Sequence, residues 1–180
     1  YYKDPDATAA TLTDGWLHSG DLGAFDDEGF LNITGRKKDI IITAGGKNIT
    51  PKNLEAGIKN HELVDEAVVI GDRRKYLSAL VTIDPEAGEA WASANGEDAK
   101  ALHDSAKLRA SIQTHIDEMN QHFARVEQIK KFTILKRNFT VEDGELTPTL
   151  KVKRAKVNEH FADDIEAMYA GDAAAAQPRV

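Results

Sequence analysis

Three short segments of the sequence carry side chains that could contact a sugar diol or a phosphate. The first, Ser19-Gly20-Asp21, places a carboxylate beside a glycine, and a carboxylate can accept two hydrogen bonds from a diol. The second, Gly35-Arg36-Lys37-Lys38-Asp39, places cations ahead of Gly45-Gly46, where a ligand could touch the backbone. The third, Leu146-Thr147-Pro148-Thr149-Leu150-Lys151, could deliver a lysine to phosphate oxygens as a point charge.

Each segment also has a purely structural interpretation. Asp21 could cap a turn, and composition alone favours that role. The cations after Gly35 could form a charged strand edge before a tight turn. The basic residues from Lys151 to Lys156 could be a solvated helix start or a patch that binds polyanions.

Other common catalytic patterns are missing from the sequence. It contains no P-loop, HExxH or GxSxG motif. His115 and His122 are seven residues apart on a predicted helix, but no carboxylate completes a ligand set, so we interpret them as solvent-facing and predict no metal site. His18 is notable only for its position beside Gly20 and Asp21.

Composition excludes several further classes of function. The chain has 180 residues, no cysteine and a formal charge of −7. Without cysteine there is no disulfide framework, no thiol nucleophile and no cysteine-based zinc site. The acidic balance argues against wholesale binding to nucleic acid or anionic membranes, although a local basic patch remains compatible with it. No apolar run approaches the ~20 residues of a membrane helix.

The spacing of apolar residues predicts a small α+β fold. A β-hairpin is expected around the acidic turn Asp26–Gly29, because apolar residues flank it on both sides. A mixture of strands and helices without regular βαβ alternation argues against a doubly wound sheet. The predicted strands are 66–70, 78–83 and 132–135, and the predicted helices begin at Thr50-Pro51 and cover 86–125 and 153–169.

The order of these segments resembles the C-terminal part of an adenylate-forming enzyme, the superfamily of acyl-CoA synthetases, non-ribosomal adenylation domains and luciferases. The similarity spans about residues 1–169 and begins with the motif Gly15–Gly23. Within the superfamily, the segments Gly35–Pro51, Ile129–Phe132 and 146–151 are similar to long-chain fatty acyl-CoA synthetases. Leu150 fits that group as well, because adenylation domains and luciferases usually carry glycine before the final lysine.

The resemblance implies a small mobile C-terminal domain, with a short β-hairpin and a small mixed sheet flanked by helices, and a reaction in two steps. A fatty acid and ATP form acyl-AMP and pyrophosphate, and the CoA thiol then displaces AMP. Asp21 and Arg36 would contact ATP or AMP at the ribose, and Lys151 would be the catalytic lysine of adenylation. In that step a compact ammonium would stabilise charge that builds up at the α-phosphate.

The second step would require a rotation of the mobile domain. Lys38 matches the hinge position of the family, and the hinge would comprise residues 36–40. After the rotation, Gly45 and Gly46 would face the tunnel for the pantetheine of CoA. Hinges are a few residues that absorb the change in φ and ψ.

The resemblance also implies that much of the enzyme lies upstream. Residues 1–35 would end a large AMP-binding domain, residues 41–169 would form the mobile domain, and residues 170–180 would be a disordered tail. The phosphate loop, the magnesium-binding glutamate and the acyl pocket would all precede this chain. We therefore expect ATP and Mg²⁺ as cofactors, with the Mg²⁺ ligand outside the chain, CoA as co-substrate, and no activity from the chain alone.

The expected partners are fatty acid, ATP, CoA and the absent N-terminal domain, and not nucleic acid. The lack of a signal or transmembrane segment predicts a cytoplasmic protein, compatible with peripheral membrane association of the full-length enzyme. One alternative is an adenylation enzyme that loads a carrier protein instead of CoA. Another is a non-catalytic module that binds polyanions through the basic residues from Lys151 to Lys156.

Overall fold

Strands and helices alternate irregularly in the computed structural model, which describes residues 1–173. The helices are α1 (Pro5–Thr11), α2 (Pro51–Lys59), α3 (Pro85–Asn95), α4 (Ala106–Asn120), α5 (Arg154–His160) and α6 (Ala162–Ala173). The strands are β1 (Leu12–Thr13), β2 (Trp16–Leu17), β3 (Asp21–Phe25), β4 (Leu31–Arg36), β5 (Ile41–Ile42), β6 (Asn48–Ile49), β7 (Val64–Ile70), β8 (Leu77–Ile83) and β9 (Ile129–Ile134). This arrangement confirms the predicted α+β class.

Strands β3 and β4 form the predicted antiparallel hairpin. Its turn is closed by Asp26, whose Oδ1 accepts hydrogen bonds from the backbone N–H groups of Glu28 (3.1 Å) and Phe30 (2.8 Å). These bonds hold the pKa of Asp26 below its usual value. Gly29 adopts φ +85°, a conformation that an L side chain rarely takes.

Strand β8 lies at the centre of a mixed three-stranded sheet, antiparallel to β7 and parallel to β9. All seven residues of β8 are buried because helices cover both faces of the sheet. Ala79 and Val81 face a core formed with α2 and α4, whereas Leu80 faces α5 and α6. The first two predicted strands are confirmed, and the third begins at Ile129, three residues earlier than predicted.

The predicted helical region 86–125 is interrupted. Helix α3 ends where Gly96 adopts a left-handed conformation with φ +68°, and 3₁₀ turns follow over Ala99–Asp104. Helix α4 then begins after Ser105, whose side chain accepts a hydrogen bond from the N–H of Leu108 at 3.2 Å. The apolar residues that recur at three- and four-residue steps along this helix are buried, namely Leu108, Ile112, Ile116 and Met119.

The predicted final helix is also divided. Phe161 leaves helical geometry (φ −109°, ψ 28°) between α5 and α6, and its buried ring packs edge-on against Phe139. Helix α6 continues to Ala173, so residues 170–173 are helical and not part of the tail predicted to be disordered. The remaining tail residues lie outside the part of the chain that the structure describes.

Candidate functional site

A cleft of about 690 Å³ lies between the β3–β4 hairpin and the body of the fold. The hairpin reaches the body closely at Gly35, where an added Cβ would lie 2.4 Å from Cγ2 of Thr50. Thr50 directly precedes α2, which begins at Pro51 as predicted. Residues from the hairpin, from α2 and from the segment after Lys151 line the cleft, among them Asp21, Arg36, Lys38, Lys52, Lys153 and Arg154.

The hairpin register brings two of the predicted site residues together. Asp21 and Arg36 are directly opposite each other, and Nε of Arg36 donates to Oδ1 of Asp21 at 2.9 Å. The ion pair is open to solvent, since the Arg36 side chain is 65% exposed and that of Asp21 is 30% exposed. A carboxylate and a guanidinium are thus both accessible at one edge of the cleft.

Lys38 lies in a single 3₁₀ turn, Lys37–Asp39, that joins the hairpin to the rest of the fold. The turn is flanked by extended backbone at Arg36 (φ −120°, ψ 140°) and Ile40 (φ −60°, ψ 128°). The Lys38 side chain is exposed on the cleft.

The glycine pair lies in a tight hairpin loop between β5 and β6. The N–H of Thr43 donates to the carbonyl of Lys47 at 3.0 Å, and the N–H of Gly46 donates to the carbonyl of Thr43 at 2.8 Å. Gly46 has φ +75°, whereas Gly45 does not adopt a left-handed conformation. Of the two glycines, only Gly46 adopts the conformation that favours glycine in this turn.

The loop before Lys151 has the same hydrogen-bond pattern. The N–H of Thr147 donates to the carbonyl of Lys151 at 2.8 Å, and the N–H of Leu150 donates to the carbonyl of Thr147 at 2.8 Å. In both loops the threonine hydroxyl accepts from the lysine N–H, at 3.2 Å for Lys47 and 3.0 Å for Lys151. The structure therefore presents Lys47 and Lys151 from two loops of one type.

Leu150 occupies the position that Gly46 holds in the other loop. Its φ is +59°, a conformation that costs an L residue about 1–2 kcal/mol relative to a right-handed one. The glycine that adenylation domains and luciferases usually carry at this point would avoid that cost. Leu150 is also 68% exposed, so burial of its side chain does not offset the strain.

The predicted site residues do not all converge. Asp21, Arg36 and Lys38 share the cleft, whereas Lys151, Gly45 and Gly46 are not among the described residues that line it. The Lys151 side chain is exposed on its loop. Within this segment the residues that line the cleft begin at Val152, directly after the lysine.

Two clusters of charged side chains were not predicted from the sequence. Arg154 pairs with Glu55 and donates to the carbonyl of Val69 at 3.0 Å, and Oε1 of Glu55 accepts from the N–H of Val69 at 2.8 Å. These bonds join the start of α5 to α2 and to β7. The long separations in sequence leave no local signal for such a cluster.

The second cluster surrounds Glu145, whose side chain is fully buried. The two terminal guanidinium nitrogens of Arg137, Nη1 and Nη2, donate to its carboxylate, at 2.8 and 2.6 Å, and Nδ1 of His160 lies 2.9 Å from Oε1. The N–H of Thr140 also donates to it, at 3.1 Å. The hydrogen bonds from Arg137 hold the pKa of the Glu145 carboxyl at about 2, despite the opposing effect of burial.

Of the two histidines interpreted as solvent-facing, only His115 differs from that prediction, because it is partly buried. Nε2 of His115 lies 2.8 Å from the carbonyl oxygen of Gly57, and its ring packs edge-on against His61. His122 follows the end of α4 and is exposed. Within residues 1–173, no three acidic or histidine side chains come together as a metal site, and no helix is long and apolar enough to cross a bilayer.

Comparison with known proteins gives consistent family matches. The family model described as "AMP-binding enzyme C-terminal domain" matches residues 38–173. The chain is 49% identical over 94% of its length to the long-chain-fatty-acid–CoA ligase FadD15 of Mycobacterium tuberculosis, and 37% identical over 94% to the long-chain-fatty-acid–CoA ligase ACSBG1 of Mus musculus. It spans only 29% and 26% of those two proteins.

A solved structure with the same fold is the adenylation domain of a carboxylate reductase from Mycobacterium chelonae. The TM-score is 0.73 at 31% identity, over 94% of this chain and 26% of that one.

Proposed function

Since the chain belongs to the family of AMP-binding enzyme C-terminal domains, we propose that it is the mobile part of a fatty acid–CoA ligase. The full-length protein would activate a fatty acid with ATP and transfer the acyl group from acyl-AMP to CoA. The similarity to two long-chain-fatty-acid–CoA ligases supports this substrate class. ATP and CoA would bind between this chain and an upstream domain that supplies the Mg²⁺ ligand.

The observation that carries the proposal is the pairing of Asp21 with Arg36 at the cleft beside the hinge turn. The Asp21 carboxylate would accept hydrogen bonds from the ribose hydroxyls, and Arg36 would both orient that carboxylate and contact the ribose region. Lys151 would act in the first step by stabilising negative charge as the carboxylate of the fatty acid attacks the α-phosphate.

The placement of the two loops outside the cleft supports a proposal of domain rotation. Lys151 and Gly45 would serve different steps from two separate loops of the mobile domain, and Lys38 would be the hinge between that domain and the upstream one. Residues 1–35 would stay with the upstream domain. Large exposed apolar side chains are concentrated in that segment, which favours a buried contact there; they are Tyr1, Tyr2, Leu12, Trp16, Leu17, Phe25, Phe30, Leu31 and Ile33.

The proposed activity is tested by assaying the full-length protein that contains this chain. With a long-chain fatty acid and ATP we expect pyrophosphate release and, once CoA is added, acyl-CoA. The 180-residue chain alone should form neither product, because the proposed acyl and phosphate sites lie outside it. Acyl-CoA formation by the chain alone, or no fatty-acid-dependent pyrophosphate release by the full-length protein, would contradict the proposal.

A second candidate acceptor is the phosphopantetheine of a carrier protein. The fold match to the adenylation domain of a carboxylate reductase favours keeping this candidate. Both candidates share the first step, so only the acceptor distinguishes them. Transfer to free CoA at a much higher kcat/KM than to a phosphopantetheinylated carrier supports the ligase, and the reverse ratio supports the carrier-loading enzyme.

Replacing Lys38 with proline should impair the alternation between the two steps. Proline fixes φ near −65° and restricts the residue before it, so the turn could no longer absorb a rotation. We expect acyl-CoA formation in the full-length protein to fall at least tenfold if the rotation passes through this residue. Lys37→Ala, in the same turn, serves as the control. Wild-type rates of both half-reactions in Lys38→Pro would contradict a hinge at this position.

A further inference from the structure

The buried Glu145 cluster lies at the base of the loop that carries Lys151. Residue 145 directly precedes Leu146, which pairs with Val152 across the loop. The carbonyl of Glu145 accepts the N–H of Lys153 at 2.7 Å, just beyond the lysine. The backbone of Glu145 therefore closes the loop, and its side chain is buried at the base of the loop.

The carboxylate connects this loop to two other parts of the fold. Arg137 belongs to the segment after β9, and its guanidinium also packs over the ring of Phe161. His160 is the last residue of α5, the helix that begins directly after the loop. Glu145 thus ties the entrance of the loop to the far end of the helix that leaves it.

Stability alone does not account for this cluster. A buried carboxylate loses its hydration, and well-packed apolar residues often replace a buried ion pair without loss of stability. A charged, multiply hydrogen-bonded group instead fixes distances and angles, because each bond is directional. An apolar side chain would fill the same space without fixing the direction of the loop.

We propose that Glu145 is a positioning residue for Lys151. Arg137 and His160 hold the Glu145 carboxylate, and the fixed Glu145 in turn orients the loop that carries Lys151. This proposal rests on the adenylation role proposed for Lys151. A displacement of a catalytic group by about 1 Å can cost as much as ~10²-fold in rate. Only the first half-reaction uses Lys151, so loosening the loop should slow adenylation and spare thioester formation.

The first test is made on the 180-residue chain itself, by amide hydrogen exchange. In Glu145→Gln the exchange rates of the Thr147, Leu150 and Lys151 N–H groups should rise more than those of Ala79 and Leu80 in the central strand, which report any loss of global stability. An equal rise at both places would overturn the positioning role. Glu142→Gln makes the same change from carboxylate to carboxamide at an exposed position of the same segment. In this control all of these exchange rates should equal those of the wild type. Unchanged exchange at the loop in Glu145→Gln would overturn the positioning role.

The second test uses the full-length protein. Glu145→Gln should lower kcat of adenylation by about 10–100-fold, with KM for ATP within twofold and thioester formation from supplied acyl-adenylate within twofold. If Glu145→Gln fails to fold, His160→Gln removes one bond and leaves the Arg137 pair, and should show the same selectivity with a smaller loss. Equal losses in both half-reactions would indicate a merely structural role and refute the proposal.

The two tests separate this proposal from the proposed function. If the wild-type full-length protein forms no acyl-adenylate, the proposed function fails, but hydrogen exchange still decides whether Glu145 fixes the loop. If acyl-adenylate forms normally in Glu145→Gln, only the positioning role fails.

Discussion

Replacement of Lys151 by alanine in the full-length protein is expected to slow acyl-adenylate formation by about 10²–10³-fold, the range seen when a preorganised group that stabilises transition-state charge is removed. The ammonium would meet charge that is greater in the transition state than in the bound substrates, so kcat should fall more than KM rises. Thioester formation from supplied acyl-adenylate should stay within a few-fold of wild type.

Fatty-acid-dependent pyrophosphate exchange measures the first step alone, and single-turnover formation of acyl-CoA measures the second. Lys136→Ala, an exposed lysine in the loop after β9, is the matched control and should behave as wild type in both. Lys151→Ala should not destabilise the chain, since the side chain is exposed and the loop is held by backbone bonds. Equal loss in both steps would refute the assigned role.

The same substitution also tests the polyanion-binding alternative. That alternative predicts salt-sensitive binding to polyanions that weakens when Lys153 and Lys156 are neutralised. It predicts no selective effect on adenylation. A selective loss of adenylation in Lys151→Ala, without salt-sensitive polyanion binding, would exclude it.

Replacement of Gly45 by alanine should have the opposite selectivity. A Cβ at this position would meet Oγ1 of Thr43 only at 3.9 Å, an ordinary contact, and the backbone is not left-handed. The free energy of unfolding should therefore change by no more than about 0.5–1 kcal/mol. If the loop faces the pantetheine in the second step, the added methyl group should lower thioester formation at least tenfold and leave adenylation unchanged.

Gly46→Ala is the informative comparison. Gly46 has φ +75°, so alanine is strained there even though the space is open. We expect this variant to lower the free energy of unfolding by about 1 kcal/mol or more. Denaturant unfolding of the chain and both half-reactions of the full-length protein distinguish the two glycines. Full thioester activity in a folded Gly45→Ala would contradict a role for this residue in the pantetheine tunnel.

The sequence predicted those parts of the fold that local patterns determine. The turn at Asp26–Gly29 and the start of α2 at Pro51 follow from side-chain chemistry within a few residues. The divisions at Gly96 and Ser105 could also have been predicted, because a left-handed glycine and a serine N-cap are local signals. The break at Phe161 could not, because it depends on packing against Phe139, which is distant in sequence.

Local patterns also predicted only part of the candidate site, because the rest depends on contacts that form only in the folded chain. The resemblance pointed to Asp21 and Arg36, and the hairpin register places them opposite each other. The buried role of Glu145 was not predicted, because glutamate in a polar segment is usually exposed. Only the folded chain brings Arg137 and His160 to the same carboxylate. The left-handed conformation of Leu150 likewise has no signal in the leucine itself.

The parallel pairing of β8 with β9 has a consequence for how the chain is made. Leu77–Ile83 is uncharged and free of proline, and it is rich in residues that favour strands, which together are the features of aggregation-prone segments. Its hydrogen-bonding edge stays open until Ile129–Ile134 leaves the ribosome, because α3, the 3₁₀ turns and α4 are synthesised in between. Nascent chains should therefore be most vulnerable to misassembly, and most in need of chaperones, during that interval.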